Sequence, residues 1–311
     1  MSGPSAESAE KAGTARGMAE GAAGAVPVVT RVVVPPRSFR HDLRAVRIVL
    51  HRELIRFSQD RIRMVSNLVQ PVLWLLVLGT GLSNLMNGGA GAAGAVNLRT
   101  FIFPGVCAMS VMFTAMFSAG SIVWDREFGF LREMLVAPVS RSAIVVGKCL
   151  GGALVATAQG SVILALAGLA GVPYDPLLLL QLLGLMFVGA LALTGFGVML
   201  AARVPSMQAF FGIIQMALMP MMFLSGALYP LGGLPAWLSV LTRLNPLTYA
   251  VDPLRQAVFA HLRVSPDLER TFNPGVTWNG WQVPVGLEIL LVLVLGVALM
   301  GVAVLEFRRA D

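Results

Sequence analysis

The stretch LLLLQLLGLMFVGALALTGFGVMLAA, residues 177–202, contains no charged side chain and decides the fold class. A helix needs about 20 mostly apolar residues to cross the hydrocarbon core of a bilayer, and this stretch exceeds that length. Five further blocks are also long and mostly apolar. The six predicted spans cover about 68–86, 101–123, 143–170, 177–202, 208–228 and 285–305. The sequence therefore predicts an all-α integral membrane protein with six transmembrane helices.

The composition of the whole chain supports a membrane protein. Of its 311 residues 56% are hydrophobic and 13% are charged, with a mean hydropathy of +0.77. A soluble domain carries about 25% charged residues, so this composition excludes a cytosolic enzyme and a nucleic-acid reader. Residues 1–37 are rich in Gly, Ala, Ser and Glu and are predicted to form a disordered cytoplasmic tail. Residues 38–311 are predicted to form a single transmembrane domain.

The basic residues are distributed unequally between the two sides of the predicted bundle. Of the 23 Lys and Arg residues, 18 fall on the side that holds both chain ends. The positive-inside rule therefore predicts that both termini are cytoplasmic. The basic pI of about 10.4 is then explained by topology and by anionic lipid headgroups, and no nucleic-acid partner is expected.

The segment DLRAVRIVLHRELIRFSQD, residues 42–60, is predicted to form an amphipathic interfacial helix. Apolar residues recur along it at three- and four-residue spacing: Leu43, Val46, Leu50, Leu54 and Phe57. Arginines occupy the other face, which suits a helix that lies on the inner leaflet. The helix is either an ordinary surface anchor or a positioning element for a cytosolic partner.

A second amphipathic segment, WDREFGFLREMLVAPVSRSAIVVGK at 124–148, connects spans two and three. A short helix over 124–138 is predicted, because the residue before Pro138 is disfavoured in a helix. Such a helix between two spans can transmit a movement of a cytosolic protein to the spans. The alternative is a solvated connecting loop.

The outer segment 229–283 is apolar but contains six prolines, from Pro230 to Pro274, and Pro284 adjoins it. Breaks are expected at Asn245-Pro246 and at Asp252-Pro253, so no uninterrupted span fits. Irregular backbone survives at membrane depth only where protein or a wet cavity satisfies it. The prediction is a re-entrant helical hairpin between spans five and six. The alternative is an extracellular cap that never enters the membrane.

The sequence lacks the motifs of an energy-converting enzyme. It has no phosphate-binding G-x-x-x-x-G-K-[ST] loop and no metal-ligand pattern. The polar residues in mid-span are neutral, as Gln159, Thr194 and Gln215 illustrate, and Glu288 is expected to reach an interface. Proton coupling therefore has few groups to use, and energy for uphill transport is expected to come from another chain.

Two features inside the spans have open interpretations. Gly152, Ala156 and Gly160 form a small-residue face, which serves either packing inside the bundle or a contact with a second subunit. Span five contains flexible apolar side chains around Pro220. These side chains line either a substrate path or the core. The candidate path residues are Met216, Met219, Met222 and Phe223.

Two quoted regions resemble one family. The run WDREFGFLREMLVAPVSRSAIVVGKCL, residues 124–150, closely resembles the coupling-helix region of bacterial type-2 ABC exporter permeases. The run FLSGALYPLGGLPAWLSVLTRLNPLTYAVDPLRQAV, residues 223–258, is similar to their fifth span and outer helices. The similarity extends over roughly 40–309, and the nearest branch is the daunorubicin-resistance type of drug and lipid exporters.

The resemblance implies a transport subunit of the bacterial cell membrane that is not itself an enzyme. Two permeases, identical or paralogous, would pair around a path, each on an ATPase subunit that binds ATP and magnesium. This chain would hold no cofactor. The expected ATPase contacts are Asp125, Arg126, Glu127, Phe128, Gly129, Leu131, Arg132, Glu133 and Glu53.

By the same resemblance, the expected activity is efflux of a hydrophobic or amphiphilic drug or lipid from the cytoplasm or inner leaflet, as in antibiotic resistance. The alternatives are export of a polysaccharide or glycolipid, and a membrane scaffold that transports nothing.

Overall fold

The computed structural model describes residues 39–81, 98–129, 140–262, 272–278 and 280–309. Within them the chain forms ten α-helices and one small hairpin. The helices are α1 Phe39–Gln59, α2 Arg61–Leu73, α3 Leu98–Ser118, α4 Gly120–Glu127, α5 Arg141–Leu164, α6 Pro176–Arg203, α7 Met207–Leu224, α8 Ala236–Leu244, α9 Thr248–Ala260 and α10 Val285–Arg309. The hairpin pairs β1 Thr277–Trp278 with β2 Trp281–Gln282. The predicted tail 1–37 lies outside the described residues.

Six helical stretches of the described chain are long and apolar enough to cross a membrane. They are Met64–Gly81, Leu98–Glu127, Arg141–Leu164, Pro176–Arg203, Met207–Leu224 and Val285–Phe307. The prediction of an all-α protein with six spans is confirmed. The first stretch begins in α2 and continues through a wider π-helical turn, Trp74–Leu78, that follows Pro71.

The third span is shorter than the sequence predicts, because the chain turns after Leu164. The Tyr174 hydroxyl donates to the Ala165 carbonyl and accepts from the Gly168 amide, at 2.8 and 3.0 Å. Gly171 then adopts a φ of +75°, which favours glycine. These contacts close a tight turn into α6, which begins with Pro176 at its first position.

The amphipathic helix α1 forms as predicted, but a different face of it is buried. Ala45, Val49 and Glu53 are its most buried side chains, whereas Leu43 is exposed. The reason is a second pair of glycines on α5, Gly147 and Gly151. A Cβ placed on Gly147 would lie 2.9 Å from the Val49 Cβ, and one placed on Gly151 would lie 3.0 Å from the Glu53 Cβ. The close approach between α1 and α5 makes protein, not lipid, the partner of this face.

The core of the bundle is built around α3, which packs against α5, α6 and α9. Phe103, Val106 and Met112 on α3 are completely buried. At Gly105 the helix approaches the backbone at Ala227 so closely that a Cβ would overlap its carbonyl oxygen. Central packing of this kind fixes the second span with respect to the end of the fifth.

The outer segment contains the two short helices that the sequence predicts, α8 and α9, joined at Asn245-Pro246. The buried Asn245 amide donates to the Met221 carbonyl at 2.7 Å and accepts from the Leu247 amide at 3.1 Å. These bonds satisfy the irregular backbone with protein groups. The break expected at Asp252-Pro253 is wrong. Pro253 lies inside α9, where packing against α3, α6 and α10 outweighs one missing backbone hydrogen bond.

Substitution of Gly105 tests the packing of α3. We expect Gly105→Ala to lower the melting temperature of the protein purified in detergent, because overpacking a core costs about 1–3 kcal/mol. Gly184→Ala in α6 is the matched control, since nothing lies within 4 Å of a Cβ placed there. Equal melting temperatures for the two variants would contradict the close approach of α3 to Ala227.

Candidate functional site

One buried cation joins three helices at the end of the bundle where α1, α4 and α5 meet. Lys148 of α5 donates to Glu53 Oε1 of α1 at 2.7 Å and to Asp125 Oδ2 of α4 at 2.6 Å. It also donates to Ser121 Oγ at 2.9 Å. All four side chains are buried. Lys148 thus uses its three ammonium donors on three separate acceptors.

The charges of this cluster balance. Arg52 Nη2 donates to Asp125 Oδ2 at 2.7 Å and lies 3.8 Å from Glu53 Oε1, so two cations face two carboxylates. We name Arg52, Glu53, Ser121, Asp125 and Lys148 the basal ion cluster. A buried charge is tolerated only when it is paired and hydrogen-bonded, and here each charged member is both. Removing one partner leaves a buried charge without compensation.

A second contact holds α1 to the start of α5. Asp42 Oδ1 accepts a hydrogen bond from the Ser140 amide at 3.1 Å. The Ser140 side chain in turn accepts from the Ala143 amide and serves as the N-cap of α5. Helix α1 is therefore tied to α5 at Asp42 and again at Glu53.

The two residues after Asp125 bind the next two helices. The Arg126 guanidinium donates to the carbonyls of Ala202 and Val204, at 2.9 and 3.1 Å, where α6 ends. Glu127 Oε2 accepts from the Met207 amide at 3.1 Å, where α7 begins. Helix ends leave such groups unsatisfied, and the signs of both charges suit the helix dipoles. Three consecutive residues of α4 therefore hold α5, α6 and α7 together.

An aromatic pair remains on the outside of α4. The rings of Trp124 and Phe128 lie 4.6 Å apart, and the Arg56 guanidinium lies 5.7 Å from the Trp124 ring. Phe128 is 58% exposed. Gly129 follows with a φ of +82° and open space around it. The aromatic pair thus lies on the exposed side of α4, whereas Asp125 holds the buried side of the same helix to α5.

The predicted contact residues therefore divide into three groups. Glu127, Phe128 and Gly129 are at the surface or close to it. Asp125 and Glu53 are buried with Lys148, so their carboxylates hold helices of this chain instead of facing a partner, and Arg126 is bonded to the end of α6. Leu131, Arg132 and Glu133 lie outside the described residues. Whether any of these residues contacts an ATPase stays a prediction.

The candidate path residues of span five do not all share one face. Met216, Met219 and Phe223 are exposed along one side of α7, with Met216 exposed by 73%. Met222 points into the core and is 2% exposed. The first three follow one another at spacings of three and four residues, so they form a continuous apolar stripe. Met222 therefore belongs to the packing and not to that stripe.

The small-residue face of α5 packs inside this chain. A Cβ on Gly152 would lie 2.6 Å from Thr194 Cγ2, and one on Gly160 would lie 2.9 Å from Val111 Cγ2. Ala156 is fully buried. Of the two uses that the sequence left open, these residues serve packing within the bundle.

The structure also brings together charged groups that the sequence did not connect. Arg255, Asp252 and Glu288 are all buried near the start of α10, so the expectation that Glu288 reaches an interface is wrong. Arg255 donates to the Gly226 carbonyl at 2.6 Å and lies 4.3 Å from the ring of Phe101. Burial lowers the pKa of Arg255 to about 10, which leaves it charged at neutral pH. This outer cluster anchors α9 against the end of α7.

Sequence reasoning also missed the central role of Lys148, which it counted as one of the basic residues where span three begins. A signal was available: Lys148 lies seven residues after Arg141, already within the apolar run. An ionisable residue at such a position normally has a named partner. Among the described residues no group of three His, Cys, Asp or Glu side chains is arranged to hold a metal ion.

Comparison with known proteins identifies relatives of this chain. The sequence model described as "ABC-2 type transporter" matches residues 44–259. The transport permease ycf38 of Cyanophora paradoxa is 29% identical over 67% of this chain and 72% of its own length. The multidrug ABC transporter permease YbhR of Escherichia coli is 31% identical over 52% of this chain and 44% of its own length. Nodulation protein J of Rhizobium leguminosarum is 29% identical over 62% of this chain and 73% of its own length.

Replacement of Lys148 tests the basal ion cluster. We expect Lys148→Met to destabilise the protein by about 3–5 kcal/mol, because it leaves two buried carboxylates with only the partly exposed Arg52 as a counter-charge. Thermal unfolding in detergent is the measurement. Addition of Glu53→Gln and Asp125→Asn should recover part of the loss, since the buried groups are then neutral and the remaining cation, Arg52, is partly exposed to solvent.

The matched control is Arg203→Met, which breaks an ion pair with Glu306 on an exposed surface. An exposed pair contributes little, so its melting temperature should stay near that of the unchanged protein. A Lys148→Met variant as stable as the control would refute the cluster as a structural junction.

Proposed function

The chain belongs to the ABC-2 type transporter permease family, and on that premise we propose that it exports a hydrophobic or amphiphilic compound with energy from a separate ATPase. Membership makes it a membrane permease subunit of an ABC transporter. The proposal adds that ATP and magnesium bind to the partner ATPase. It also adds that two permeases and two ATPase subunits assemble, with a second permease that is a copy or a paralogue.

The observation that carries the proposal is the threefold attachment of α4. Asp125, Arg126 and Glu127 bind α5, the end of α6 and the start of α7, respectively. A displacement of α4 therefore acts on these helices and, through Lys148, on α1. A subunit that does not itself hydrolyse ATP needs such an arrangement, because a displacement that a partner causes at one surface then moves several spans.

The proposed contact surface for the ATPase is the Trp124–Phe128 pair, together with residues that follow Gly129 in the sequence. Exposed aromatic residues are enriched where proteins bind one another. Leu131, Arg132 and Glu133 remain proposed contacts in that segment. In this scheme Asp125 and Glu53 position α4 and α1, and the exposed side chains make the contact.

The exposed apolar stripe of α7 favours a hydrophobic substrate. Met216, Met219 and Phe223 offer a flexible apolar surface along a span. Export of a polysaccharide or glycolipid is the alternative, and a scaffold that transports nothing is a second. The distribution of Lys and Arg supports a topology with both termini in the cytoplasm. The bacterial relatives support a location in the bacterial plasma membrane.

Affinity purification of the tagged chain in mild detergent tests the proposal first. We expect an ATPase to copurify, and inside-out vesicles that contain both proteins should accumulate an amphiphilic dye only when ATP is present. ATP-dependent uptake of a lipid-linked sugar in place of the dye would favour the glycolipid alternative. Purification without any ATPase, together with no ATP-dependent uptake, would favour the scaffold.

Replacement of Phe128 tests the proposed contact surface. We expect Phe128→Ala to weaken binding of the copurified ATPase about tenfold, as loss of an exposed aromatic anchor does at an interface. The melting temperature should not change, because Phe128 is largely exposed. Leu169→Ala is the control: Leu169 is equally exposed but lies in the turn beyond α5, at its other end. Equal binding by both variants would remove Phe128 from the contact.

A further inference from the structure

Two buried carboxyl groups lie side by side where α9 packs against the start of α10. Asp252 of α9 and Glu288 of α10 are 2% and 0% exposed. The two groups are close enough to share a hydrogen bond. Among the described residues, however, no N–H or O–H group donates to either carboxylate oxygen of Glu288. This acid pair therefore differs from the basal ion cluster, where both buried carboxylates bind the ammonium group of Lys148.

Asp252 has the surroundings of an ionised carboxylate. Its Oδ2 accepts from Gln256 Nε2 at 2.7 Å and from the Val276 amide at 3.3 Å. The buried guanidinium of Arg255 also interacts electrostatically with Asp252. Hydrogen bonds to a carboxylate and a nearby cation both favour its charged form. The positive charge of Arg255 is thus balanced by Asp252.

The other described groups around Glu288 do not donate to it. Tyr249 of α9 interacts electrostatically with Glu288 and with Arg243 of α8. The Tyr249 hydroxyl donates to the Arg243 carbonyl at 2.9 Å and accepts from Trp278 Nε1 at 3.0 Å. Burial raises the pKa of Tyr249, so this hydroxyl is neutral at physiological pH. Helices α5 and α6, which also pack against α10, carry their titratable side chains near its other end: Arg141, Lys148, Cys149 and Arg203.

A bound proton resolves the conflict between the two acids. Two adjacent carboxylates in a buried site repel each other, so one of the two holds a proton. A protonated carboxyl group has an O–H donor and can bind the neighbouring carboxylate, whereas two ionised groups have no hydrogen to share. Glu288 is the group that needs the proton, because its oxygens receive no other donor from the described residues. With that proton, Arg255, Asp252 and Glu288 together are neutral.

We propose that Asp252 and Glu288 share one proton at neutral pH, and that this proton holds α10 to α9 and to the hairpin. Glu288 donates through the proton to Asp252, whose other oxygen accepts from the Val276 amide just before β1. The two acids then titrate as one unit. Loss of the proton leaves two adjacent buried carboxylates, so alkaline pH weakens this junction. The proposal is independent of the transported compound and of any ATPase.

Infrared spectroscopy of the full chain tests for the proton directly. The protein is purified in dodecyl maltoside, which has no carbonyl group of its own. We expect the C=O stretch of a protonated carboxyl group at neutral pH, with a shift after exchange into heavy water. Glu288→Gln should abolish this band, and Asp252→Asn should move its frequency because the proton loses its charged acceptor. Glu306→Gln on the same helix is the control, since Glu306 is paired with Arg203.

Thermal unfolding at several pH values tests the role of the proton. The folded protein holds one proton more than the unfolded chain at neutral pH, so its stability falls as the pH rises. Between about pH 6 and about pH 9 we expect the melting temperature to fall by about 2–4 °C per pH unit. Glu288→Gln should remove most of this slope, because the amide keeps a donor for Asp252 and does not titrate. Glu306→Gln should retain the slope.

Three outcomes would overturn the proposal. The first is the absence of a protonated carboxyl band from the unchanged protein at neutral pH, a result that needs no variant to fold. The second is a band that Glu288→Gln or Asp252→Asn leaves unaltered. The third is an equal dependence of the melting temperature on pH in Glu288→Gln and Glu306→Gln. If the band is absent and sodium chloride raises the melting temperature of the unchanged protein but not of Glu288→Gln, the pair binds a metal cation in place of the proton.

Discussion

The ammonium group of Lys148 is held between two carboxylates inside the end of a membrane bundle. In that position none of the three charges can be removed alone without leaving a net charge in a cluster that Arg52 otherwise balances. The consequence is geometric. Glu53 belongs to α1, Asp125 to α4 and Lys148 to α5, so three separate helices must meet at one point. The position of the amphipathic helix and of the α4 surface both follow from this contact.

Polar contacts at helix ends extend this junction through the bundle. Arg126 satisfies carbonyls where α6 ends, and Glu127 satisfies an amide where α7 begins. These groups would otherwise be unpaired where water is scarce, so the contacts stabilise the helices while they connect them. The same side chains therefore stabilise the bundle, and in the proposed function they would also transmit movement. The exposed aromatic pair next to them supplies a surface on which a partner can act.

The opposite part of the bundle shows the same physical requirement. Arg255 is buried against Phe101 and a backbone carbonyl, and Asn245 satisfies the backbone where α8 and α9 are joined. These contacts allow irregular backbone to pack on the spans. Between the two polar regions the helices approach one another through glycines such as Gly105 and Gly152.

The sequence by itself determined the six spans, the amphipathic helix, the broken outer segment and the family, because long apolar runs and local motifs are properties of neighbouring residues. It located Asp125, Glu127 and Phe128 in one functional segment. It did not determine which of them point inward, nor which face of α1 is buried, nor that Pro253 continues a helix. Those features depend on residues far apart in the chain, as Lys148 is from Glu53. Only the tertiary structure brings such residues together. Packing decides which oppositely charged side chain lies beside a buried charge, and that side chain offsets the free-energy cost of burial.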